Sequence, residues 1–175
     1  GIGPLLGQSI SGTIRAVIRA SENNAGANAT LAIAVKLIQP NGTDRAVLLG
    51  VTAADNAASP QEFAVTLNSR RGWTSGEAEP LPLTTQSAQT GDYLVIEIGF
   101  RSATTTSRTI SLRYGDAAAS NLTYGDAETN DFNGWAELSA TLNFQQTYNF
   151  VIQDAINGHT ADNVTFTQVH NFSVQ

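Results

Sequence analysis

Acid–base chemistry has few footholds in this chain. Its two histidines are His159, directly after the turn-forming pair Asn157-Gly158, and His170, close to the end of the sequence. A Ser-His-Asp arrangement needs one imidazole within reach of both a hydroxyl and a carboxylate in a pocket, and neither position predicts one. Paired carboxylates could instead run glycoside hydrolysis. Glu97 and Glu137 are the acids that interrupt otherwise apolar strands. Alternation turns Glu97 away from Ile96 and Ile98, and Glu137 away from Ala136 and Leu138. Both are therefore expected on solvent faces beside a cross-strand arginine such as Arg101 or Arg113. The run Asp116, Asp126, Glu128, Asn130, Asp131 and Asn133 offers the oxygen ligands that calcium takes, but it lacks EF-hand spacing and reads as a solvated acidic loop. Cysteine is absent, which removes disulfides, thiolate zinc sites, iron–sulfur clusters and cysteine nucleophiles. No catalytic residue, metal or cofactor is expected.

Contact chemistry is better represented. Arg70-Arg71-Gly72-Trp73 concentrates two residue types enriched at protein interfaces, and it falls in a long irregular stretch. Arg70, Arg71 and Trp73 are the expected interface or ligand contacts there, joined by Tyr124 and Asp126 from a second long loop. Trp73 with Tyr114 or Tyr124 could alternatively stack a sugar. Trp135 is expected to fill core.

The segments that must position these groups alternate with period two and end at turn residues. Ile10–Ala20 places Ile10, Ile14, Ala16 and Ile18 on one face and Arg15 and Arg19 on the other. Leu31, Ile33, Val35 and Leu37 lead into Pro40-Asn41-Gly42. There Asn-Gly predicts a type I′ hairpin, returning through Val47, Leu49 and Val51. Phe63, Val65 and Leu67 predict a fourth strand. Residues 68–91 read as irregular, with Pro80 and Pro82 favouring an extended path along an edge. Leu94–Phe100, Ile110–Tyr114, Trp135–Leu142, Tyr148–Ile152 and Val164–Phe166 complete the pattern. No segment carries apolar residues at helical spacing. The reading is an all-β, antiparallel β-sandwich of jelly-roll type with about eight or nine strands and little or no helix. Residues 1–144 form the sandwich, and 145–175 a C-terminal hairpin or arm on the same domain or a neighbouring subunit.

Composition narrows the partners. The 175 residues are 41% hydrophobic, 14% charged and carry a net charge of −6. That charge argues against nucleic acid or an anionic membrane, both of which call for clustered Lys and Arg. No apolar run approaches the roughly 20 residues of a membrane span, so no insertion is expected, and Gly1–Leu6 lacks the basic flank of a signal peptide.

From Arg113 to Leu142 the sequence resembles a known group. Gly115-Asp116-Ala117-Ala118, an acidic and Thr-rich loop, Gly134-Trp135-Ala136-Glu137-Leu138-Ser139 and Leu142-Asn143-Phe144 resemble the closing hairpin of uncharacterised phage and prophage virion-associated β-sandwich proteins. Ser11-Gly12-Thr13-Ile14, the Asn41-Gly42 hairpin and Gly91-Asp92-Tyr93-Leu94-Val95-Ile96-Glu97-Ile98-Gly99 are similar too, so the likeness covers about residues 10–144. Gly134 stands where that family usually carries proline. The resemblance implies a non-enzymatic virion structural protein, such as a capsid decoration, head-fibre or tail-associated component at the virion surface, acting through self-assembly and contacts with other virion proteins. The alternative is a glycan-binding adhesin module of a phage or bacterial surface, meeting a host glycan outside the cell. Family members tend to carry more chain before the first strand. A homo-oligomer exchanging terminal segments is therefore expected.

Overall fold

A computed structural model describes residues 1–51, 62–72, 80–102, 104–113, 115, 120–125 and 127–146. The expected strands beyond Phe144 lie outside these, as do His159 and His170. The described chain is an all-β antiparallel sandwich of eight strands: β1 (Gln8–Glu22), β2 (Ala29–Ile38), β3 (Asp44–Leu49), β4 (Asn68–Gly72), β5 (Leu81–Ala88), β6 (Tyr93–Ser102), β7 (Ile110–Arg113) and β8 (Trp135–Leu138). A single 3-10 turn at Ala25–Ala27 is the helical content among the described residues, and no helix there is long and apolar enough to cross a membrane.

One sheet has the order β3-β2-β6; the other is organised on β1. The chain crosses between the sheets after β1, β3, β5 and β6. β1 pairs along both edges. On one edge its residues 8–14 meet β5 and 16–20 meet β4; on the other, 14–17 meet β8 and 19–22 meet β7. Each edge is therefore lined by what amounts to one strand interrupted by an insertion. On one edge β4 ends opposite Ala16 and β5 begins opposite Ile14, so the break between them falls at Arg15; on the other β7 ends opposite Arg19 and β8 begins opposite Val17, so the break falls at Ile18. The two long loops of the sequence emerge at the same level of the same strand.

The alternating faces close the core. Ile14, Ala16 and Ile18 of β1, Leu31, Ile33, Val35 and Leu37 of β2, and Leu81 of β5 are buried in one cluster with Leu94 of β6. Each fully buried Val, Leu or Ile side chain among them contributes about 1.5–3 kcal/mol. Pro82 fits β5 because that strand is an edge. Its partner Thr13 turns its polar groups to Ser139 on the other side, so no ladder bond is lost for want of an N–H.

Three expectations need correction. The β2–β3 turn is not type I′. Gly42 N donates to Gln39 O at 2.9 Å and only Gly42 has positive φ, at 86°. Proline's fixed φ suits the first central position of a type I turn, so Pro40 and Asn41 make the turn and Gly42 takes the left-handed position after it. The phase of β3 also differs: Leu48 and Leu49 are buried while Val47 and Val51 are exposed. Register shifts opposite Val35/Lys36 and Leu37/Ile38 mark bulges, which reset which side chain faces inward. Finally, residues 68–91 are not irregular throughout: backbone pairing with β1 makes Asn68–Gly72 and Leu81–Ala88 strands, and the fourth strand lies at the former, not at Phe63–Leu67, where only Phe63 is buried and Val65 is 59% exposed.

Two buried carboxylates fasten opposite parts of the sandwich. Asp92, fully buried after β5, accepts from Gln89 N (2.7 Å) and holds Arg45 of β3 through both guanidinium donors, Nη2 at 2.9 Å. Burial pulls this carboxyl upward, but the Arg45 hydrogen bonds, the Gln89 N–H and the Arg45 charge together outweigh it, leaving it below its ordinary value. Glu22, 2% exposed, accepts from Ala29 N at 3.2 Å. Burial pushes it up, and the neighbouring Glu62 adds to this against the Ala29 N–H.

The two act oppositely on stability. A depressed acid stabilises above its unfolded pKa and loses that contribution as pH falls through the folded value; a raised acid costs stability once pH climbs above the unfolded value. Asp92→Asn is expected to cost about 3 kcal/mol at neutral pH by stranding Arg45, and to flatten the acid limb of the stability–pH curve in urea melts. Glu22→Gln is expected to raise the melting temperature at pH 7, with the gain vanishing below about pH 4; an unchanged or lower melting temperature at pH 7 contradicts the assignment.

Candidate functional site

Because Ile14, Ala16 and Ile18 face the core, Thr13, Arg15, Val17 and Arg19 of β1 point to the outer face of their sheet. Register puts Glu137 opposite Arg15, Trp135 and Arg71 on either side of Val17, and Ser69 and Arg113 on either side of Arg19. The insertion between β7 and β8 crosses this face. It reaches the far edge of β4, where Ser69 N donates to Glu128 O (2.8 Å), Ala127 N to Ser69 O (3.1 Å) and Ser69 Oγ to Gly125 O (3.0 Å). Midway, Arg19 pairs with Asp131 and donates to Thr129 O at 3.0 Å. Leu122 and Val17 are buried beneath this strap although neither belongs to the central core.

The strap delivers Tyr124 onto the basic residues. The guanidinium carbons of Arg15 and Arg71 lie 5.5 and 5.4 Å from its ring centroid, within cation–π range. The Trp135 ring stands 5.9 Å away at 42°, its Nε1 donating to Leu122 O at 2.6 Å. Beside this cluster Thr13, Arg15, Glu137 and Ser139 line a polar hollow of about 210 Å³, smaller than the roughly 300 Å³ at which small-molecule pockets begin. Within the acidic strap, Glu128 accepts from Thr123 Oγ1 and N, and these bonds, Oγ1 first, hold its carboxyl below its ordinary value. Among the described residues no group of three or more acids or histidines is arranged to hold a metal.

Of the five expected contacts, the structure brings Arg71 and Tyr124 together. Arg70 turns the other way, since it pairs with the inward-facing Ile18. It is 7% exposed and spends its guanidinium on Glu62 O (3.0 Å) and Ser69 O (2.9 Å). Trp73 and Asp126 lie outside the described residues, as does Tyr114. The expectation that Trp135 fills core is overturned by register: opposite Val17, it lies on the outer face. Arg15 was legible only as a polar-face residue of β1; its place beside Tyr124 depends on where the strap lands.

Glu97 and Glu137 stand apart. Glu97 lies outward on β6, where Lys36 of β2 approaches it at 3.2 Å, while Glu137 lies outward on the opposite sheet. Sheets pack about 10 Å apart, so carboxylates on the two outer faces exceed the 5–9.5 Å separation that glycoside hydrolysis uses. The ring pair at the cluster is tilted, not coplanar, with the indole edge already bonded to the chain. Two cations over one phenol make a surface suited to contacts with acidic or polar groups.

A scan against protein-family models finds no match, and neither the curated proteins nor the solved structures give one.

The close approach of the strap to β1 depends on Gly134. A Cβ there would stand 2.9 Å from Val17 O and 3.3 Å from Ile18 Cα. Gly134→Ala is expected to destabilise the fold by about 1–3 kcal/mol, seen in denaturant melts. Tyr124→Ala removes two cation–π contacts and an aromatic pair, about 2 kcal/mol together, and opens Trp135 to water. In a Trp73→Phe background its fluorescence should shift to the red, and an unmoved emission maximum would show that Tyr124 does not cover the indole.

Proposed function

We propose that this chain is a non-enzymatic virion structural protein, of the capsid-decoration, head-fibre or tail-associated kind, that assembles with copies of itself and with other virion proteins at the virion surface. The virion setting is supported by the resemblance of residues 10–144 and by a composition without Cys or Met to oxidise. The assembly mode is supported by one observation, a flank of the sandwich that is closed at one end and exposes apolar side chains at the other. On the β3/β5 side the two sheets lie against each other and the inward side chains Leu48, Leu49 and Leu81 are buried. On the β6/β8 side residues 1–6 bond both to the start of β6 (Ile2 with Leu94, Leu5 N with Asp92 O) and to residues 143–145 (Leu6 N with Asn143 O, Gln145 N with Pro4 O), and beyond this bridge no comparable approach joins the sheets among the described residues. Ile96, Ile98 and Leu138 are only partly buried there, and Phe100 is 47% exposed. A half-open core flank costs stability unless another surface covers it.

The resembling motifs act as architecture. Gly12, at φ +100°, sits at a bulge of β1 where a Cβ would collide with Ser139 Oγ, and that Oγ accepts from Thr13 N at 2.8 Å. Two motif pieces far apart in sequence thus meet as a backbone fastening. Gly91, at φ +94°, turns the chain so that Asp92 reaches Arg45. Native mass spectrometry at micromolar concentration is expected to show a closed homo-oligomer. A stable folded monomer under those conditions would overturn the proposal.

A further inference from the structure

The dipeptide Asn-Gly leaves an asparagine side chain open to attack by its own backbone, because glycine sets no Cβ in the path of the incoming nitrogen. It occurs at Asn41-Gly42, Asn133-Gly134 and Asn157-Gly158, the last outside the described residues. The fold gives the first two opposite surroundings. Asn133 is half-buried and tied through both backbone groups, its N donating to Ser120 O at 2.8 Å and its O accepting from Leu122 N at 2.9 Å. Gly134 is pressed on β1, where a Cβ would stand 2.9 Å from Val17 O, so attack there requires the strap to lift. Asn41 and Gly42 are exposed at the tip of the β2–β3 hairpin. Pro40 steadies one arm of that turn, its Cγ 3.3 Å from where a Gly91 Cβ would lie; around the corresponding point of Gly42 no described residue comes within 4 Å. The Asn41 side chain is already oriented, its Oδ1 accepting from Thr43 Oγ1 at 2.8 Å and from Thr43 N at 3.0 Å. Gly42 N is held by one turn bond, to Gln39 O at 2.9 Å, and a single bond exposed to water opens far more readily than the seating of the strap.

We propose that Asn41 is a self-modifying site, converting in the folded protein to aspartate and isoaspartate with help from the two Thr43 donors, while Asn133 is held inert. Gly42 N gives its proton to solvent hydroxide and bonds to Asn41 Cγ. The Cγ–Nδ2 bond then breaks and, with a proton from water, Nδ2 leaves as ammonia, closing a cyclic imide. Water adds to either imide carbonyl and reopens the ring, giving aspartate or isoaspartate. Nothing is oxidised or reduced, and water is the one co-reactant. As Gly42 N attacks, negative charge gathers on Oδ1, the atom on which both Thr43 donors already rest. Hydrogen bonds to a charged oxygen are about twice as strong as neutral ones, so these donors favour the attacked state over the resting amide. The product sets a new carboxylate, and in isoaspartate a longer backbone, close to the exposed Asp44, and makes the chain one charge more negative than −6. This inference lies beyond the assembly reading and does not rest on it.

The test uses the wild-type chain, incubated at mildly alkaline pH both folded and in urea. The peptides carrying Asn41 and Asn133 are followed by mass spectrometry, with the isoaspartate form separated by chromatography. In urea both asparagines are expected to convert. In the folded chain Asn41 converts and Asn133 does not, and isoelectric focusing shows a more acidic variant accumulating. Thr43→Val, which removes the hydroxyl donor, is expected to slow Asn41 roughly two- to tenfold in the folded chain but not in urea. Thr43→Ala serves the same end if the valine variant fails to fold, and Thr43→Ser, which keeps a hydroxyl, retains the faster rate. Asn41 left intact in the folded chain while it converts in urea would overturn the proposal, as would Asn133 converting alongside it. A folded-state rate unchanged by loss of the hydroxyl would overturn the part given to Thr43.

Discussion

Strand β1 is the member on which the rest is hung. It is fifteen residues long and paired along both edges by strands shorter than itself. A long central strand flanked by short ones must receive two partners in tandem on each side, and the chain between tandem partners has to leave the sheet. Both departures fall in the stretch from Arg15 to Ile18. The insertions are therefore neighbours by construction, and the larger crosses the sheet to bond the outer edge of β4. The Arg15–Tyr124–Arg71 cluster follows from that coincidence of level and needs no attraction of its own to form. Two cation–π contacts of about 0.5–1 kcal/mol each are minor beside the backbone bonds and burial that seat the strap.

The polar groups that look most chemical are mostly spent on this architecture. Asp92 ties β3 to the turn before β6, Glu22 receives the start of β2, Arg70 secures the approach to β4, and Arg19 anchors the strap through Asp131 and Thr129. Each serves a backbone or an ion pair at a place where strands change direction. Net burial of such groups gains little by itself; their effect is to fix which edge meets which loop. What they leave undone is the part of the β6/β8 flank beyond Ile2 and Leu94, where Ile96, Ile98 and Leu138 are only partly buried and Phe100 is exposed.

Much of the scaffold was legible because half-buried strands write their burial into alternate residues. β1, β2, β6 and β7 could be read that way; of the set Ala136, Leu138, Ala140 and Leu142, the last three pack against the core but Ala136 is exposed, and the strand ends at Leu138, short of the expected Leu142. β4 could not: Asn68-Ser69-Arg70-Arg71-Gly72 has no apolar face, since one side lies under the strap and the other bonds carbonyls, so backbone pairing alone makes it a strand. β3 was found but misphased, because a bulge is invisible in a pattern that counts by twos. Of the candidate contacts, Arg71 and Tyr124 meet as the two-loop reading required. Arg70, adjacent in sequence, faces the other way for the same reason of alternation.

The sequence by itself determined the class of the fold, the residues that line its interior and the poverty of acid–base groups, because these depend on composition and on a local repeat of two. Only the tertiary structure decided that Trp135 lies outside, that Glu97 and Glu137 occupy opposite faces, and that one flank is shut while the other is bridged at one end only. Those outcomes depend on register and on which edges meet, and both are set by contacts between residues a hundred or more positions apart, such as Thr13 with Ser139, that no local pattern records.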